Sequence, residues 1–259
     1  MHSDIYYFTG TGNSLHAGRM IAKRLGDCTL VPIVRTLAGG QPVTGERIII
    51  VFPVYMYRAP HIVCRFVRKI SAAKSVIAIA TMGGGSGKTF LQLRSLLRKN
   101  GLDLDAGYAV AMPDNYTPFG DAMAGDELNI RLKEAGEKID KIAVSIGKND
   151  RTFEKDTSFF QTYVWPGVWF WYAYIVIPKL ARYYRVQESC DGCGICARVC
   201  PSGAVTLKSN RPQWSVGCEH CLACLQWCPK EAIQFGKRTA GKKRYKNLFV
   251  SVKDIIAQK

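Results

Sequence analysis

The chain has 259 residues, of which 47% are hydrophobic and 22% charged, and its formal net charge is +16. This length predicts one large or two modest domains. The basic charge attracts acidic proteins or anionic membranes, although a solvated basic surface without a specific partner is the plainer interpretation. Because no nucleic-acid-binding motif accompanies the charge, we expect no nucleic acid partner. The sequence opens without a signal-peptide pattern, which favours a cytoplasmic location.

The first 150 residues alternate predicted strands with predicted helices. The predicted strands are 4–8, 30–34, 47–54, 76–80 and 108–112, and the predicted helices are 13–25, 60–70, 88–99 and 126–148. The third strand contains the uninterrupted apolar run 48–52, which is typical of a central strand in a parallel sheet. This alternation predicts an α/β fold with a doubly wound, five-stranded parallel sheet.

The loop after the first strand is the first candidate site. Its sequence, Thr9-Gly10-Thr11-Gly12-Asn13-Ser14, leads directly into the first predicted helix. Small residues let the backbone curve around an anion, and the start of a helix adds favourable partial charge. The loop therefore predicts a phosphate site. The simpler alternative is a turn that caps a helix.

The loops after the third, fourth and fifth predicted strands lie at the same edge of the predicted sheet. Ligands of such sheets bind at the carboxyl ends of the strands. The loops 53–58 and 112–116 carry aromatic and apolar residues, and the loop 81–87 is rich in glycine. Together they are candidates to enclose a planar ring.

The second candidate site is a cysteine pattern that occurs twice. Each copy reads C-x2-C-x2-C-x3-C-P, and the copies begin at Cys190 and Cys218. This is the pattern of thiolates in two-cluster ferredoxins, where the fourth cysteine of each run binds the other [4Fe–4S] cluster. The predicted ligand sets are therefore Cys190, Cys193, Cys196 and Cys228 for one cluster, and Cys218, Cys221, Cys224 and Cys200 for the other.

Zinc binding and disulfide formation fit the cysteine pattern less well. Structural zinc uses paired C-x2-C knuckles, and disulfide scaffolds are normally short secreted chains. Clusters also require reduced thiols, which again favours the cytoplasm. We expect His220, inside the second run, to be a solvated loop residue, and Cys28 and Cys64 to be inert core thiols.

The two candidate sites together resemble a known family. The loop Thr9–Ser14 is similar to the FMN-phosphate loop of flavodoxins, with the pattern [ST]-x-T-G-x-[ST]. With the doubled cysteine run, nearly all of the chain resembles the flavodoxin–ferredoxin fusion proteins of anaerobic bacteria and archaea. The resemblance implies a flavodoxin-like FMN domain at 1–150, an aromatic apolar linker at 151–185, a smaller α+β ferredoxin domain with two [4Fe–4S] clusters at 186–236, and a basic tail at 237–259.

The resemblance also implies which residues bind FMN. The phosphate would lie against the loop after the first strand, and the flavin ring against the loops after the third, fourth and fifth strands. The implied residues are Thr9, Gly10, Thr11, Gly12, Asn13, Ser14, Pro53, Val54, Tyr55, Met56, Tyr57, Thr81, Met82, Gly83, Gly84, Gly85, Asn115 and Tyr116.

The segment 157–178 contains no charged residue and is rich in aromatic side chains. A membrane span is disfavoured, because Pro166-Gly167 interrupts the run and a span would separate flavin from clusters. We expect an apolar segment that packs between the two domains. Contact with an anionic membrane surface is the alternative.

The expected function is electron transfer between the two clusters and FMN. Clusters carry one electron each, whereas a flavin accepts one or two. We expect an oxidoreductase that passes electrons from a ferredoxin-type donor to an acceptor. An acidic redox protein is the candidate partner, and a small molecule is a candidate acceptor. The sequence shows no catalytic acid or base. Two alternatives stay open, a pure electron carrier without an organic substrate and a regulatory protein that senses redox state or oxygen.

Overall fold

The N-terminal half is built on a five-stranded parallel sheet. The computed structural model describes residues 1–154, 171 and 175–259. The strands follow the order β2-β1-β3-β4-β5, and every neighbouring pair is parallel. This is the strand order of flavodoxin-like doubly wound sheets, so the predicted fold is confirmed. The strands are β1 Ser3–Tyr7, β2 Cys28–Pro32, β3 Val43–Pro53, β4 Ile70–Met82 and β5 Ala106–Ala111.

Helices cover both faces of this sheet. The core on one face includes residues of α1 and α5, and the core on the other includes residues of α3 and α4. Burial of both faces explains why the segments 48–52 of β3 and 76–80 of β4 are uninterrupted apolar runs. The helices are α1 Asn13–Leu25, α2 Ile33–Gly39, α3 His61–Val67, α4 Thr89–Arg98 and α5 Gly125–Gly147.

Helix α2 was not predicted from the sequence. Strand β2 ends at Pro32, two residues before the predicted end, and Ile33 and Val34 already belong to the helix. Both are β-branched and apolar, so their composition favours a strand. The strand nevertheless ends at Pro32. This residue occupies the N-cap position of α2 with extended backbone, and the helix begins immediately after it.

The C-terminal half is small and held by two antiparallel strand pairs. A 3-10 helix, Ile177–Tyr183, leads into it. Strand β6 pairs with β9, and β7 pairs with β8. Two one-turn helices, α6 and α7, lie within the two cysteine runs. The bounds are β6 Tyr184–Val186, α6 Ile195–Arg198, β7 Val205–Lys208, β8 Arg211–Trp214, α7 Ala223–Gln226, β9 Ile233–Phe235 and α8 Val252–Ile256.

The two halves share one apolar core. Val199, Ala223 and Trp227 of the cysteine-rich half pack in the same cluster as the inner residues of β1, α1 and α5. Val250 and Ile255, near the C-terminus, complete that cluster. Buried contacts therefore hold the cysteine-rich half on the sheet. The predicted domain bounds remain predictions.

The aromatic segment 157–178 lies outside the described residues except for Trp171, which is exposed, and residues 175–178. Its predicted packing role therefore stays a prediction. Within the ranges that the structure describes, no helix is both long and apolar enough to cross a bilayer.

Candidate functional site

A cleft opens at the carboxyl ends of the sheet strands, where ligands of doubly wound folds bind. About 1070 Å³ of space lies within it, part of it open to solvent. All the residues implied for FMN line it except Gly12. Its wall comprises Thr9, Gly10, Thr11, Asn13, Ser14, Pro53, Val54, Tyr55, Met56, Tyr57, Thr81, Met82, Gly83, Gly84, Gly85, Met112, Pro113, Asp114, Asn115, Tyr116, Ile177, Glu219, His220, Cys221 and Leu222.

The loop between β1 and α1 forms the polar end of the cleft. The amides of Gly10 and Thr11 have no hydrogen-bond partner among the described residues. Gly12, in left-handed conformation with φ 104°, donates its amide to the Thr9 hydroxyl at 3.0 Å. Helix α1 has no acidic residue in its first turn. Small residues, open amides and a helix start suit a phosphate.

Other members of the loop are held by the next strands. The Thr11 hydroxyl accepts a hydrogen bond of 2.8 Å from the Asn115 side chain, and the Ser14 and Thr81 hydroxyls lie 2.8 Å apart. The Thr81 hydroxyl in turn donates to the Phe52 carbonyl. These bonds connect the polar end of the cleft with β3, β4 and the loop after β5.

A tight turn, Tyr55 to Arg58, forms one edge of the cleft. Tyr55 and Arg58 exchange two backbone hydrogen bonds, of 2.9 and 3.1 Å. The two residues between them, Met56 and Tyr57, have φ values of 49° and 61°. Left-handed backbone costs about 1 kcal/mol or more for a residue other than glycine. The structure thus holds two large side chains at the cleft in a strained turn.

Residues 219–222 of the second cysteine run, called the second cysteine loop, close the cleft from the other side. A Cβ atom on Gly10 would lie 2.6 Å from the Cys221 carbonyl oxygen, so this close approach requires glycine. The Trp227 indole donates a hydrogen bond of 2.9 Å to the Gly10 carbonyl. The loop Thr9–Ser14, called the phosphate loop because a phosphate is predicted there, is therefore in direct contact with the second cysteine loop.

Sequence reasoning missed the residues that the second cysteine loop contributes to the cleft, Glu219 to Leu222. Glu219 is 8% exposed and accepts the amide of His61 at 3.1 Å. Burial, partly offset by hydrogen bonds from the amides at the start of α3, raises the pKa of its carboxyl to about 7. The spacing of the cysteines predicts metal ligands, but it carries no signal for what the residues between them touch.

His220 is not the solvated loop residue expected from the sequence. It is 5% exposed, with hydrogen bonds to the hydroxyls of Tyr116 at 2.9 Å and of Tyr184 at 3.1 Å. Burial lowers the pKa of the imidazole to about 4, so the ring is neutral. The expectation was wrong because the turn folds inward, onto the sheet, and this requires tertiary contacts that the motif does not encode.

Four cysteines, called cluster site 1, line one cavity in the cysteine-rich half. They are Cys190, Cys193, Cys196 and Cys228. Burial, with a smaller contribution from the other three thiols, raises the pKa of the Cys196 thiol to about 11. Cys193 is exposed, whereas Cys196 is buried. Thiols of this kind bind as thiolates, so a metal cluster at this site would displace protons.

The other four cysteines, called cluster site 2, are Cys200, Cys218, Cys221 and Cys224. Burial raises the pKa of the Cys221 thiol, and nearby Cys200, Cys218 and Cys224 add to the increase. All four are buried or half-buried. Cluster site 2 is therefore the more enclosed site, and Cys221 makes it part of the cleft wall.

Two N–H groups point at sulfur atoms of cluster site 2. The Trp214 indole donates to Cys224 Sγ at 3.4 Å, and the His220 amide donates to Cys218 Sγ at 3.4 Å. Hydrogen bonds to sulfur and burial are the means by which a protein sets cluster potentials.

In the described ranges, no group of three or more His, Cys, Asp or Glu residues is close enough to hold one metal ion. The four thiols of cluster site 1 line one cavity, and Cys221 of cluster site 2 interacts with the other three thiols of that site. Two sets of four thiols match the ligand number of two four-iron cubanes. No disulfide joins any of the ten cysteines, all of which lie in the described residues. Their assignment as ligands, like that of the FMN residues, stays a prediction.

Comparison with known families supports the iron–sulfur domain expected in the second half of the chain. Residues 189–233 match the family described as a 4Fe-4S dicluster domain. This span contains all eight cysteines of the doubled run. The chain thus joins a flavodoxin-like sheet to a 4Fe-4S dicluster domain, as the resemblance implied. No curated protein matches the sequence.

Several solved structures are similar to the N-terminal half. A flavodoxin from the domain Archaea is 15% identical, covers 57% of this chain and 99% of its own, and has a TM-score of 0.36. Megasphaera elsdenii flavodoxin is 21% identical, covers 54% of this chain and 98% of its own, and has a TM-score of 0.35. Oxidised Flavodoxin 2 from Bacillus cereus is 16% identical, covers 57% of this chain and 99% of its own, and has a TM-score of 0.39. At such TM-scores, the fold assignment rests on the strand order.

Proposed function

We propose that the protein is an iron–sulfur flavoprotein that transfers electrons between two [4Fe–4S] clusters and FMN. In this proposal it is a reductase that passes electrons from a ferredoxin-type donor to an acceptor. The observation that carries it is the position of Cys221, which belongs to cluster site 2 and also lines the cleft. Bound FMN would supply one- and two-electron chemistry next to one-electron clusters.

The residues of the cleft fit FMN. The open amides of Gly10 and Thr11 and the start of α1 suit its phosphate. Apolar and aromatic side chains at the lips, Met56, Tyr57 and Tyr116, suit a planar ring. A small-molecule acceptor would reach the flavin through the open side of the same cleft.

The exposure of the two cluster sites suggests an order for the relay. Cys193 of cluster site 1 is exposed, whereas cluster site 2 is enclosed and adjoins the cleft. An external donor would therefore approach cluster site 1. One acidic and one basic residue, Asp191 and Lys230, line the cavity of cluster site 1. The proposal of an acidic redox partner is therefore supported by the net charge of +16. We propose a cytoplasmic location, since iron–sulfur clusters need reduced thiols.

The first test is anaerobic purification followed by metal, sulfide and flavin analysis. The proposal expects about eight iron atoms and one FMN per chain. Reduced ferredoxin is then mixed with the protein in an anaerobic stopped-flow instrument, and the flavin absorbance is expected to bleach. Persistence of the oxidised flavin spectrum would remove electron transfer from the proposal.

A variant separates the relay from direct reduction of the flavin. Cys196→Ser is expected to slow bleaching by ferredoxin at least tenfold while dithionite still reduces the flavin. Equal rates for both proteins would exclude a path through cluster site 1. A screen of organic acceptors under reductant then distinguishes a reductase, which consumes an acceptor, from a carrier.

A further inference from the structure

The last residues of the chain lie against the phosphate loop. We call Tyr245 to Gln258 the C-terminal segment. Three of its polar residues are almost fully buried, with exposed fractions of 2% for Tyr245, 1% for Asn247 and 1% for Gln258. It ends in α8, which Ser251 and Asp254 cap reciprocally. Burial of polar side chains is costly unless their hydrogen bonds are satisfied, so the partners of these three residues indicate their role.

Two of these residues bind the backbone of the phosphate loop. The Gln258 amide accepts the Thr9 N–H at 3.1 Å and donates to the Thr9 carbonyl at 3.1 Å. The Asn247 N–H donates to the Thr11 carbonyl at 2.9 Å. The C-terminal segment thus holds both ends of the turn whose amides, at Gly10 and Thr11, line the cleft.

The same segment also binds the side chain of Asn13. Its Oδ1 accepts the Tyr245 hydroxyl at 2.6 Å and the Asn247 amide at 3.0 Å. The C-terminal segment therefore fixes the position of the Asn13 side chain. A Cβ atom on Gly12 would lie 2.9 Å from Cβ of Asn247 and from Cβ of Val250, which explains why this residue faces the segment and not the cleft.

The segment is tied to the cysteine-rich half as well. The Tyr245 N–H donates to Gln226 of α7 at 2.9 Å, and Gln226 donates to the Asn115 carbonyl, in the loop after β5, at 2.8 Å. The Lys259 ammonium donates to the Ala197 carbonyl of α6. Residues of the flavodoxin-like sheet alone therefore do not hold the loop in this conformation.

We propose that the C-terminal segment is a functional part of the phosphate site, with Gln258, Asn247 and Tyr245 as positioning residues. They hold the loop Thr9–Asn13 in the conformation that presents its amides to an anion. A loop ordered before binding loses less conformational entropy when the ligand arrives, so affinity rises. This inference rests on the proposed function, since it takes FMN phosphate as the anion.

The test uses the full chain with its clusters, stripped of flavin, and compares FMN with riboflavin. Riboflavin has the ring but no phosphate. Gln258→Ala is expected to raise the Kd of FMN about tenfold, which corresponds to about 1.4 kcal/mol, and to leave the Kd of riboflavin within twofold. Tyr245→Phe, which removes only the hydroxyl bonded to Asn13, is a gentler second variant with a smaller change in the same direction. Lys253→Ala, an exposed change on the same segment, is the matched control.

Each outcome separates the hypotheses. A wild-type chain that binds FMN while both variants bind it equally well would overturn the inference. Equal weakening of FMN and riboflavin would also overturn it, because the segment would then support the fold in general. A wild-type chain that binds neither flavin contradicts the proposed function itself. Iron content is measured in parallel and is expected to be unchanged in Gln258→Ala and in Tyr245→Phe.

Discussion

His220 Nε2 lies 2.9 Å from the hydroxyl oxygen of Tyr116, and this hydrogen bond connects the second cysteine loop with the loop after β5. On the other side of the ring, Nδ1 lies 3.1 Å from the Tyr184 hydroxyl. A neutral imidazole has one donor and one acceptor nitrogen, so it can bind both hydroxyls at once. Tyr184 also stacks on Trp214, with ring centroids 5.1 Å apart, and the Trp214 indole bonds Cys224. A continuous set of contacts therefore runs from the cleft to cluster site 2.

The first prediction concerns this buried set of hydrogen bonds. His220→Phe preserves approximate size but leaves the Tyr184 hydroxyl without its imidazole partner. We expect a loss of about 1–3 kcal/mol in stability, measured as a lower thermal midpoint of the anaerobic protein. The double variant His220→Phe, Tyr184→Phe is expected to lose less than the sum of the two single variants. Strict additivity would show that the bond does not couple the two residues.

The second prediction concerns the contact between the phosphate loop and the cysteine loop. Gly10→Ala places a methyl group 2.6 Å from the Cys221 carbonyl oxygen, so one loop must move. We expect a cost of about 1–3 kcal/mol and a weakened affinity for FMN, measured by thermal melting and flavin titration. Gly147→Ala at the end of α5, where nothing lies within 4 Å, is the control and is expected to be neutral or slightly stabilising. Unchanged flavin affinity in Gly10→Ala would contradict the prediction.

The third prediction tests the crossed assignment of the cysteines. Cys228 follows Cys224 in sequence, but it shares a cavity with Cys196. Cys228→Ser and Cys196→Ser are therefore expected to lose the same cluster, with about four of eight irons retained. Cys224→Ser is expected to lose the other one. Electron paramagnetic resonance of the reduced proteins distinguishes the two signals. A Cys228→Ser spectrum like that of Cys224→Ser would contradict the crossing.

The fourth prediction is a pH dependence of the C-terminal segment. The His16 ring stacks on Phe249, with centroids 4.5 Å apart. Burial lowers the pKa of His16, and nearby Arg19 lowers it further. Because the folded state binds its proton more weakly than the unfolded state, this contribution to stability is present above pH 6.5 and is lost as the pH falls toward the lowered pKa.

This pH dependence can be measured by hydrogen exchange of residues 245–258 at pH 7.5 and at pH 5.5, roughly one unit on each side of the ordinary pKa of histidine. Exchange in the wild-type protein is expected to be faster at the lower pH, after correction for the intrinsic rate. His16→Phe keeps an aromatic ring and removes the titration, so the difference between the two pH values is expected to shrink. An equal difference in both proteins would assign the effect to another group.

Much of the sheet was predictable from the sequence. The apolar run 48–52 predicts a strand segment buried on both faces, and residues 47–52 of β3 are buried. Helix α1 has the predicted bounds, because Gly12 precedes its periodic apolar residues and Gly26 follows them. Helix α2 was not predicted because its first residues, Ile33 and Val34, are β-branched and apolar, as is typical of a strand. Local patterns predict an element well only where propensity and tertiary packing agree.

The candidate sites, too, were predictable only in part. The loop Thr9–Ser14 and the eight cysteines are short motifs whose spacing matches the group they are predicted to bind, so the sequence by itself was enough to predict two kinds of site. Only the tertiary structure decided that these sites touch, through Gly10 and Cys221, and that Gln258 lies 249 positions from its partner Thr9. Contacts between distant positions depend on the packing of the whole core, which no local pattern records.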